Sequence, residues 1–112
     1  MALIVHTSNP TALLKSIKNA IDAKSVETWI YDTDGDFTHS PAQWIHKAWL
    51  RPVVVSGALI FGLLGKKDEQ MTKLIYGVYH GRFIEMLLTH FDNEFSTANA
   101  TAQKDAKVDI FK

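Results

Sequence analysis

The chain contains no cysteine, no excess of charge of either sign and no long apolar run. The absence of cysteine excludes disulfides, thiolate metal sites and cysteine nucleophiles, and it favours a cytoplasmic location. Twelve basic residues balance twelve acidic ones, whereas a dedicated nucleic-acid binder usually carries a basic excess, so no nucleic acid is expected as a partner. The longest apolar stretch, residues 53–65, is too short for a membrane-spanning helix of about 20 residues, so no membrane is expected either.

What the chain does contain is typical of a folded domain. It has 112 residues, of which 46% are hydrophobic and 11% aromatic, enough for one domain with a single core. We expect that domain to occupy residues 1–97. Residues 98–112 begin with small and polar side chains, which predicts a flexible tail, with a terminal strand near its end as the alternative.

The first quarter of the chain predicts a strand followed by a helix. Residues 3–5 are apolar and partly β-branched, as in a strand. Asn9 and Pro10 are favourable residues for the start of a helix, since Asn can cap it and Pro suits its first turn. Apolar residues then recur at the spacing of one helical face, which predicts a helix over about 10–23. These residues are Leu13, Leu14, Ile17 and Ile21.

An Asp-Gly pair between two extended runs predicts a hairpin. Residues 26–31 are strand-like, and Asp34-Gly35 is favourable for a type I′ turn, in which both central residues have positive φ. In that register Tyr31 pairs with Thr38, and Trp29 pairs with Ser40. After the hairpin, Ser40 and the following proline predict a short helix that ends before residue 52.

The second half of the chain predicts another hairpin and a long helix. Residues 53–64 are mostly apolar on both alternating sets of positions, which indicates a strand buried on both faces. A polar turn over 65–70 and an alternating run over 71–80 complete the hairpin. Gly81 breaks the strand, and helical periodicity from Arg82 predicts a helix to about Ser96. The order β-α-β-β-short α-β-β-α predicts an α+β two-layer domain with a mostly antiparallel sheet of about five strands. Its two long helices pack on one side.

Three aspartates lie in the first hairpin. The string Tyr31 to Asp36 resembles the first motif of haloacid-dehalogenase-type phosphatases, which would make Asp32 a nucleophile and Asp34 a proton shuttle. The resemblance covers only about six residues, and Asp36 stands where that family has threonine. The string also lacks the glycine and final glutamate of an EF-hand loop. A hairpin turn explains the same residues, so we expect no metal and no cofactor, with an irregular cation site as the alternative.

The predicted strand–helix junction at residues 79–85 is a candidate anion site. A helix that starts near Gly81 would offer free N–H groups, Arg82 a bidentate donor and His80 a group that titrates near neutrality. The alternative is structural: Arg82 pairs with Glu85 or with the acidic hairpin. The candidate ligand-binding residues are His80, Arg82, Glu85, Asp32, Asp36, His39 and Tyr79.

Eleven of the twelve aromatic residues lie between Trp29 and Phe95, more than a core of this size requires. Tyr and Trp suit half-wet surfaces, so some of them are expected at a pocket wall or a subunit interface. The candidates are Trp29, Tyr31, Trp44 and Trp49. This surplus predicts a homodimer. The alternative is that Trp44 and Trp49 anchor the short helix over the sheet.

Two functions follow from these patterns. The first is a non-catalytic interaction or self-associating module, which the neutral charge, the surplus aromatics and the lack of a catalytic set favour. The second is a small-ligand or anion-binding protein, or a small enzyme, with a site around His80, Arg82, Glu85 and residues 32–39. The second requires these groups to converge in one pocket, whereas the first requires apolar groups on an open face.

Overall fold

The computed structural model describes residues 2–112 and shows six strands and two helices. The elements in chain order are β1 (Leu3–His6), α1 (Pro10–Asp22), β2 (Trp29–Tyr31), β3 (Phe37–His39), β4 (Ala48–Val55), β5 (Ala58–Gly65), α2 (Lys73–His90) and β6 (Thr97–Ala100). The strands form one sheet in the order β2-β3-β4-β5-β1-β6, and every pairing between named strands is antiparallel. The α+β class is confirmed, with one strand more than expected.

Both helices pack against the same face of the sheet. The core cluster takes alternate residues of each strand, such as Leu59, Phe61 and Leu63 in β5, because successive strand residues point to opposite faces. These residues meet the apolar stripe of α1 and the inner side of α2. The largest side chains that are fully buried are Trp29, Tyr79, Phe37, Phe61 and Phe83. The structure is thus a two-layer domain in which helices cover one face of the sheet.

The first strand and helix agree with the sequence patterns. The Asn9 side chain accepts a hydrogen bond from the N–H of Ala12 at 3.1 Å, and Pro10 begins α1. The buried residues of α1 are Leu13, Ile17 and Ile21. The helix ends one residue before the predicted boundary.

The first hairpin forms, but its predicted register is wrong by one residue. Trp29 pairs with His39 and Tyr31 with Phe37. Gly35 has φ +82°, as expected, whereas Asp34 does not have positive φ, so the turn is not type I′. The N–H of Gly35 donates to the carbonyl of Asp32, and the N–H of Asp32 donates to the carbonyl of Asp36, both at 3.0 Å. The loop therefore has three residues with glycine in the left-handed position, which shifts the register.

The short helix after Ser40 is wrong. The carbonyl of Pro41 accepts bonds from the N–H groups of Trp44 and Ile45, which is one helical turn. His46 then adopts φ +59°, which ends the turn before a helix can propagate. Ser40 does not cap this turn, since its hydroxyl donates to the carbonyl of Glu27.

The second hairpin and the second helix are displaced from their predicted positions. The apolar run that indicated one strand contains a two-residue turn, with Val55 paired to Ala58 and Gly57 at φ +77°. The hairpin therefore joins β4 to β5, and residues 73–80 of the run predicted as a strand lie within α2. The Thr72 hydroxyl caps this helix by accepting from the N–H of Ile75 at 3.1 Å.

The predicted helix start at Gly81 is therefore wrong. Both Gly77 and Gly81 lie inside α2, and the helix ends at His90 rather than near Ser96. The alternation of Leu74, Tyr76 and Val78 resembled a strand. In the helix, Tyr76 is buried while Leu74 is exposed. The buried residues of α2 follow helical spacing and are Tyr76, Tyr79, His80, Phe83, Met86 and Leu87.

The last sixteen residues are joined to the sheet. Residues 97–100 form β6 beside β1, and the following segment continues along β5 beyond the end of β1. The buried Asp109 carboxylate accepts from the N–H of Leu63 and from the N–H of Asp105, each at 2.7 Å. A Cβ on Gly62 would lie 2.0 Å from the Val108 carbonyl oxygen, so only glycine permits this close approach.

Candidate interaction surface

The residues predicted to form an anion site lie in different environments on α2. Tyr79 is fully buried, and its hydroxyl contacts the Thr38 hydroxyl at 3.0 Å and donates to the Trp44 carbonyl. His80 is also buried, with its ring stacked on Tyr76 and Nδ1 2.8 Å from the Tyr76 carbonyl oxygen. Tyr79 thus joins α2 to β3 and to the loop before β4, whereas the His80 ring contacts Tyr76 within the helix. Neither residue lies at a helix start.

Arg82 and Glu85 lie on the outer side of α2. Arg82 Nη1 is 3.4 Å from a carboxylate oxygen of Glu85, and both side chains are more than half exposed. This is the pairing that the structural alternative predicted. An exposed pair of this kind contributes little to stability because water and salt screen it.

The acidic hairpin has its own cationic partner. One oxygen from each of Asp32, Asp34 and Asp36 lies within 4.8 Å of the others. Asp32 Oδ1 accepts from the N–H groups of Asp34 and Asp36, each at 3.0 Å, which holds the loop. The guanidinium of Arg51 donates to both oxygens of Asp36, at 3.0 Å and 2.8 Å. This bond to Asp36 raises the pKa of Arg51. Arg51 therefore supplies the positive charge that a cation would supply at this loop.

His39 is buried beneath α2. Its Nδ1 is 2.7 Å from the Thr28 carbonyl oxygen, and its ring lies 4.6 Å from that of Trp29. Burial lowers the pKa of His39, with the charge of Arg82 acting in the same direction, while the Thr28 carbonyl and Glu85 oppose the shift. His39 is thus a core residue that favours its neutral form.

The candidate ligand-binding residues do not converge in one cavity. The groove beside Arg82 and Glu85 is lined by α2 residues alone, and His39 does not line it. Asp32 and Asp36 lie on the first hairpin, where Arg51 of β4 pairs with Asp36. Tyr79 and His80 lie in the core. Among residues 2–112, the constellation expected of an active site is therefore divided between three places.

The candidate interface aromatics are also divided. Trp29 is 1% exposed and packs edge-to-face against Tyr79 and Phe83, so it belongs to the core. Tyr31 and Trp44 are half-buried beside that core, and the Tyr31 hydroxyl donates to the Asp22 carboxylate at 2.7 Å. Trp49 is half-buried and stacks on His46.

An apolar surface that the sequence patterns missed lies on the sheet face opposite the helices. Ile4 pairs with Ile60, and Ile60 pairs with Val53, so their side chains form one row across β1, β5 and β4. Val55 occupies the next row, beside Ala58. We call the surface of Ile4, Val53, Val55 and Ile60 the open face. None of these four side chains belongs to the core cluster that the helices cover.

The valines of β4 were expected to be buried on both faces, and that expectation is wrong. Val53, Val54 and Val55 are 38%, 46% and 39% exposed. Among residues 2–112, β3 pairs with β4 only through Phe37 and Leu50, so the far end of β4 has no strand beside it on that side. The missing information was the length of β3, which no local pattern gives.

A further cleft lies between the start of α1 and residues 93–96. Its volume is about 650 Å³, and both polar and apolar residues line its wall. Two of its polar groups bond within the protein: the Thr7 hydroxyl donates to the Glu94 carbonyl, and the Glu94 carboxylate accepts from Ser16. These contacts join the loop after α2 to α1, so this cleft is a structural junction.

Neither described helix is long and apolar enough to cross a bilayer. A comparison of the chain with family models, with curated proteins and with solved structures finds no match. The function must therefore be inferred from the geometry of the surface.

Proposed function

We propose that the protein is a non-catalytic, self-associating module that forms a homodimer through the open face. The observation that carries this proposal is the row of Ile4, Ile60 and Val53 on a sheet face without a helix. In a two-layer domain each apolar face of a sheet is stabilised by removing it from water. Here the helices do so for one face only.

A second copy is the partner we propose for this surface. The four side chains of the open face carry no charge, so none of them repels its counterpart on a second copy. A two-fold symmetric contact uses the same patch on both subunits, and such dimers are the commonest oligomers. Two sheets that pack face to face interdigitate apolar side chains in this way.

The alternative, a small-ligand or anion-binding protein or a small enzyme, has less support. Its residues are spread over the core, the outer side of α2 and the hairpin, and Arg82 and Asp36 already have partners of opposite charge. The absence of cysteine supports a cytoplasmic location for the proposed module.

Light scattering tests the dimer directly. At micromolar concentration the unchanged protein is expected to have at least the mass of a dimer. Val53→Asp places a charge on the open face and is expected to abolish this dimer, because a buried unpaired carboxylate is strongly unfavourable. Thr11→Asp, which adds the same charge on the exposed start of α1, is the matched control and should leave the mass unchanged.

A monomeric mass of the unchanged protein would contradict the proposal. So would a Val53→Asp protein that remains folded and keeps the mass of the unchanged protein. Circular dichroism of each variant separates a loss of association from a loss of fold.

A further inference from the structure

The outer side of α2 carries a groove formed by one helix alone. Lys73, Gly77, Gly81 and Glu85 follow one another at intervals of four residues, which places them in one row along the helix. The groove over the two glycines has a volume of about 410 Å³. Leu74 and Leu88 lie near the two ends of the row and are 67% and 57% exposed.

The fold itself does not require these glycines. A Cβ at Gly77 or Gly81 would meet no atom within 4 Å, and neither residue has positive φ. Glycine inside a helix destabilises it relative to alanine. Two glycines therefore weaken α2 without improving any contact within the chain, whereas the groove that they leave allows another backbone to approach.

The charges of this row are complementary to the same row in the opposite direction. Lys73 and Glu85 are each six positions from Tyr79, and Gly77 and Gly81 are each two positions from it. Suppose that the α2 helix of a second copy crosses this helix in the antiparallel direction at the level of Tyr79. Gly77 then faces Gly81 of the second copy. Lys73 faces Glu85 of the second copy, a carboxylate that Arg82 of its own helix contacts at 3.4 Å, and the symmetry repeats both contacts.

We propose that α2 is a second self-association surface, on which the α2 helices of two copies pack antiparallel in this groove. The two lysine–glutamate pairs set the direction and the register, and the exposed leucines extend the apolar contact. Rows at intervals of four residues pack into each other at a crossing angle of about −50°. This contact does not depend on the open face.

The two surfaces lie on opposite sides of the domain, because α2 has one side against the sheet and its outer side in solvent. A protein that uses both surfaces forms assemblies larger than a dimer. The α2 contact involves one helix from each copy, and small contacts of this kind are typically weak. We therefore expect dimers at low concentration and larger assemblies as concentration rises.

Exchange of charges tests the register. The measurement is sedimentation equilibrium over a concentration series, on the unchanged chain and on the Val53→Asp background. In both, Lys73→Glu and Glu85→Lys are each expected to weaken the α2 association about tenfold, since each places two like-charged pairs in contact. The double variant Lys73→Glu/Glu85→Lys is expected to restore it. Lys67→Glu in the loop before α2 is the control of equal charge change and should have no effect.

Filling the groove is the second test. Gly77→Leu and Gly81→Leu are expected to raise the melting midpoint of the protein, because leucine favours a helix more than glycine. The same variants should abolish the α2 association, because the side chain occupies the space of the second helix. A gain of stability together with a loss of association is not expected of a purely structural position.

Three results would overturn the proposal. The first is a Val53→Asp protein that stays monomeric over the whole series while the unchanged chain never exceeds a dimer. The second is a double charge variant that associates no better than the single variants. The third is a Gly81→Leu protein with unchanged association. The open-face dimer is judged separately, by the effect of Val53→Asp on the unchanged chain.

Discussion

The two faces of the sheet differ although the same strands build them. On the covered face Phe61 is completely buried beneath the helices and contacts the rings of Phe37 and Phe83. On the open face its neighbour Ile60 keeps part of its surface in water, beside the exposed Val53. The apolar side chains on one face stabilise the fold, while those on the other are available for contacts between molecules.

The difference between the two faces shows that an apolar residue in a strand is not necessarily part of the core. Strand β5 is apolar at almost every position, yet adjacent positions serve different purposes because their side chains alternate in direction. A substitution on each face is therefore expected to change a different measured quantity.

The largest expected effect comes from a pair of adjacent substitutions. Phe61→Ala is expected to lower the free energy of unfolding by about 3–5 kcal/mol, because it leaves a cavity in the core. Ile60→Ala is expected to cost about 1 kcal/mol or less in the monomer, as a partly exposed site, but to weaken the dimer. Urea denaturation at low protein concentration, together with light scattering, measures both effects. Equal losses of stability at the two positions would remove the distinction between the faces.

A smaller effect is expected at the turn that sets which hairpin residues face the helices. Gly35→Val is expected to cost about 1–2 kcal/mol, because a β-branched residue is strained at positive φ. Gly35→Asn is the control, since asparagine tolerates this conformation better. Thermal unfolding of the two variants gives the comparison. If valine and asparagine gave the same midpoint, the left-handed geometry of residue 35 would not limit stability.

The smallest effect is a dependence of stability on pH. The pKa of His39 in the folded protein lies below its usual value of 6.5, so the folded state favours the neutral ring. The unfolded chain then binds more protons as pH falls below about 6.5, and stability decreases until the folded-state pKa is passed. Above 6.5 this contribution is fully present.

Thermal midpoints between pH 5 and pH 8 measure this dependence. The slope is expected to be smaller in His39→Gln than in the unchanged protein. His6, which is exposed on the opposite face, provides the control, and His6→Gln should leave the slope in place. An equal slope in His39→Gln and the unchanged protein would mean that His39 is not the group responsible.

The sequence patterns were reliable where one local cause determines the structure. The start of α1 depends on Asn9 and Pro10, and the positive φ of residue 35 depends on glycine, so both could be predicted. The boundaries of β4, β5 and α2 depend on tertiary contacts. Alternation over Leu74, Tyr76 and Val78 favoured a strand, and only the burial of Tyr76, Tyr79 and Phe83 against the sheet selects a helix.

The candidate site depended on one of those boundaries. The proposed anion pocket required a helix to start at Gly81, and a start at Lys73 removes the free N–H groups from this position. The open face could not be recognised, because it requires the order of the strands and the side on which both helices pack. The sequence pattern indicates that Gly81 ends a strand, whereas in the structure Gly77 and Gly81 line the outer groove of α2.

The position of β1 has a consequence for the order in which the protein can fold. This strand is the first in the chain, yet its two partners are β5 and β6, so its pairing with β6 joins residues separated by more than 90 positions. During synthesis, β1 can pair with β5 long before residues 97–100 leave the ribosome. Until then one edge of β1 presents unpaired N–H and carbonyl groups, and an unprotected edge can pair with another chain. A partly folded chain that lacks β6 is therefore expected to pair with other chains along this edge more readily than the complete sheet does.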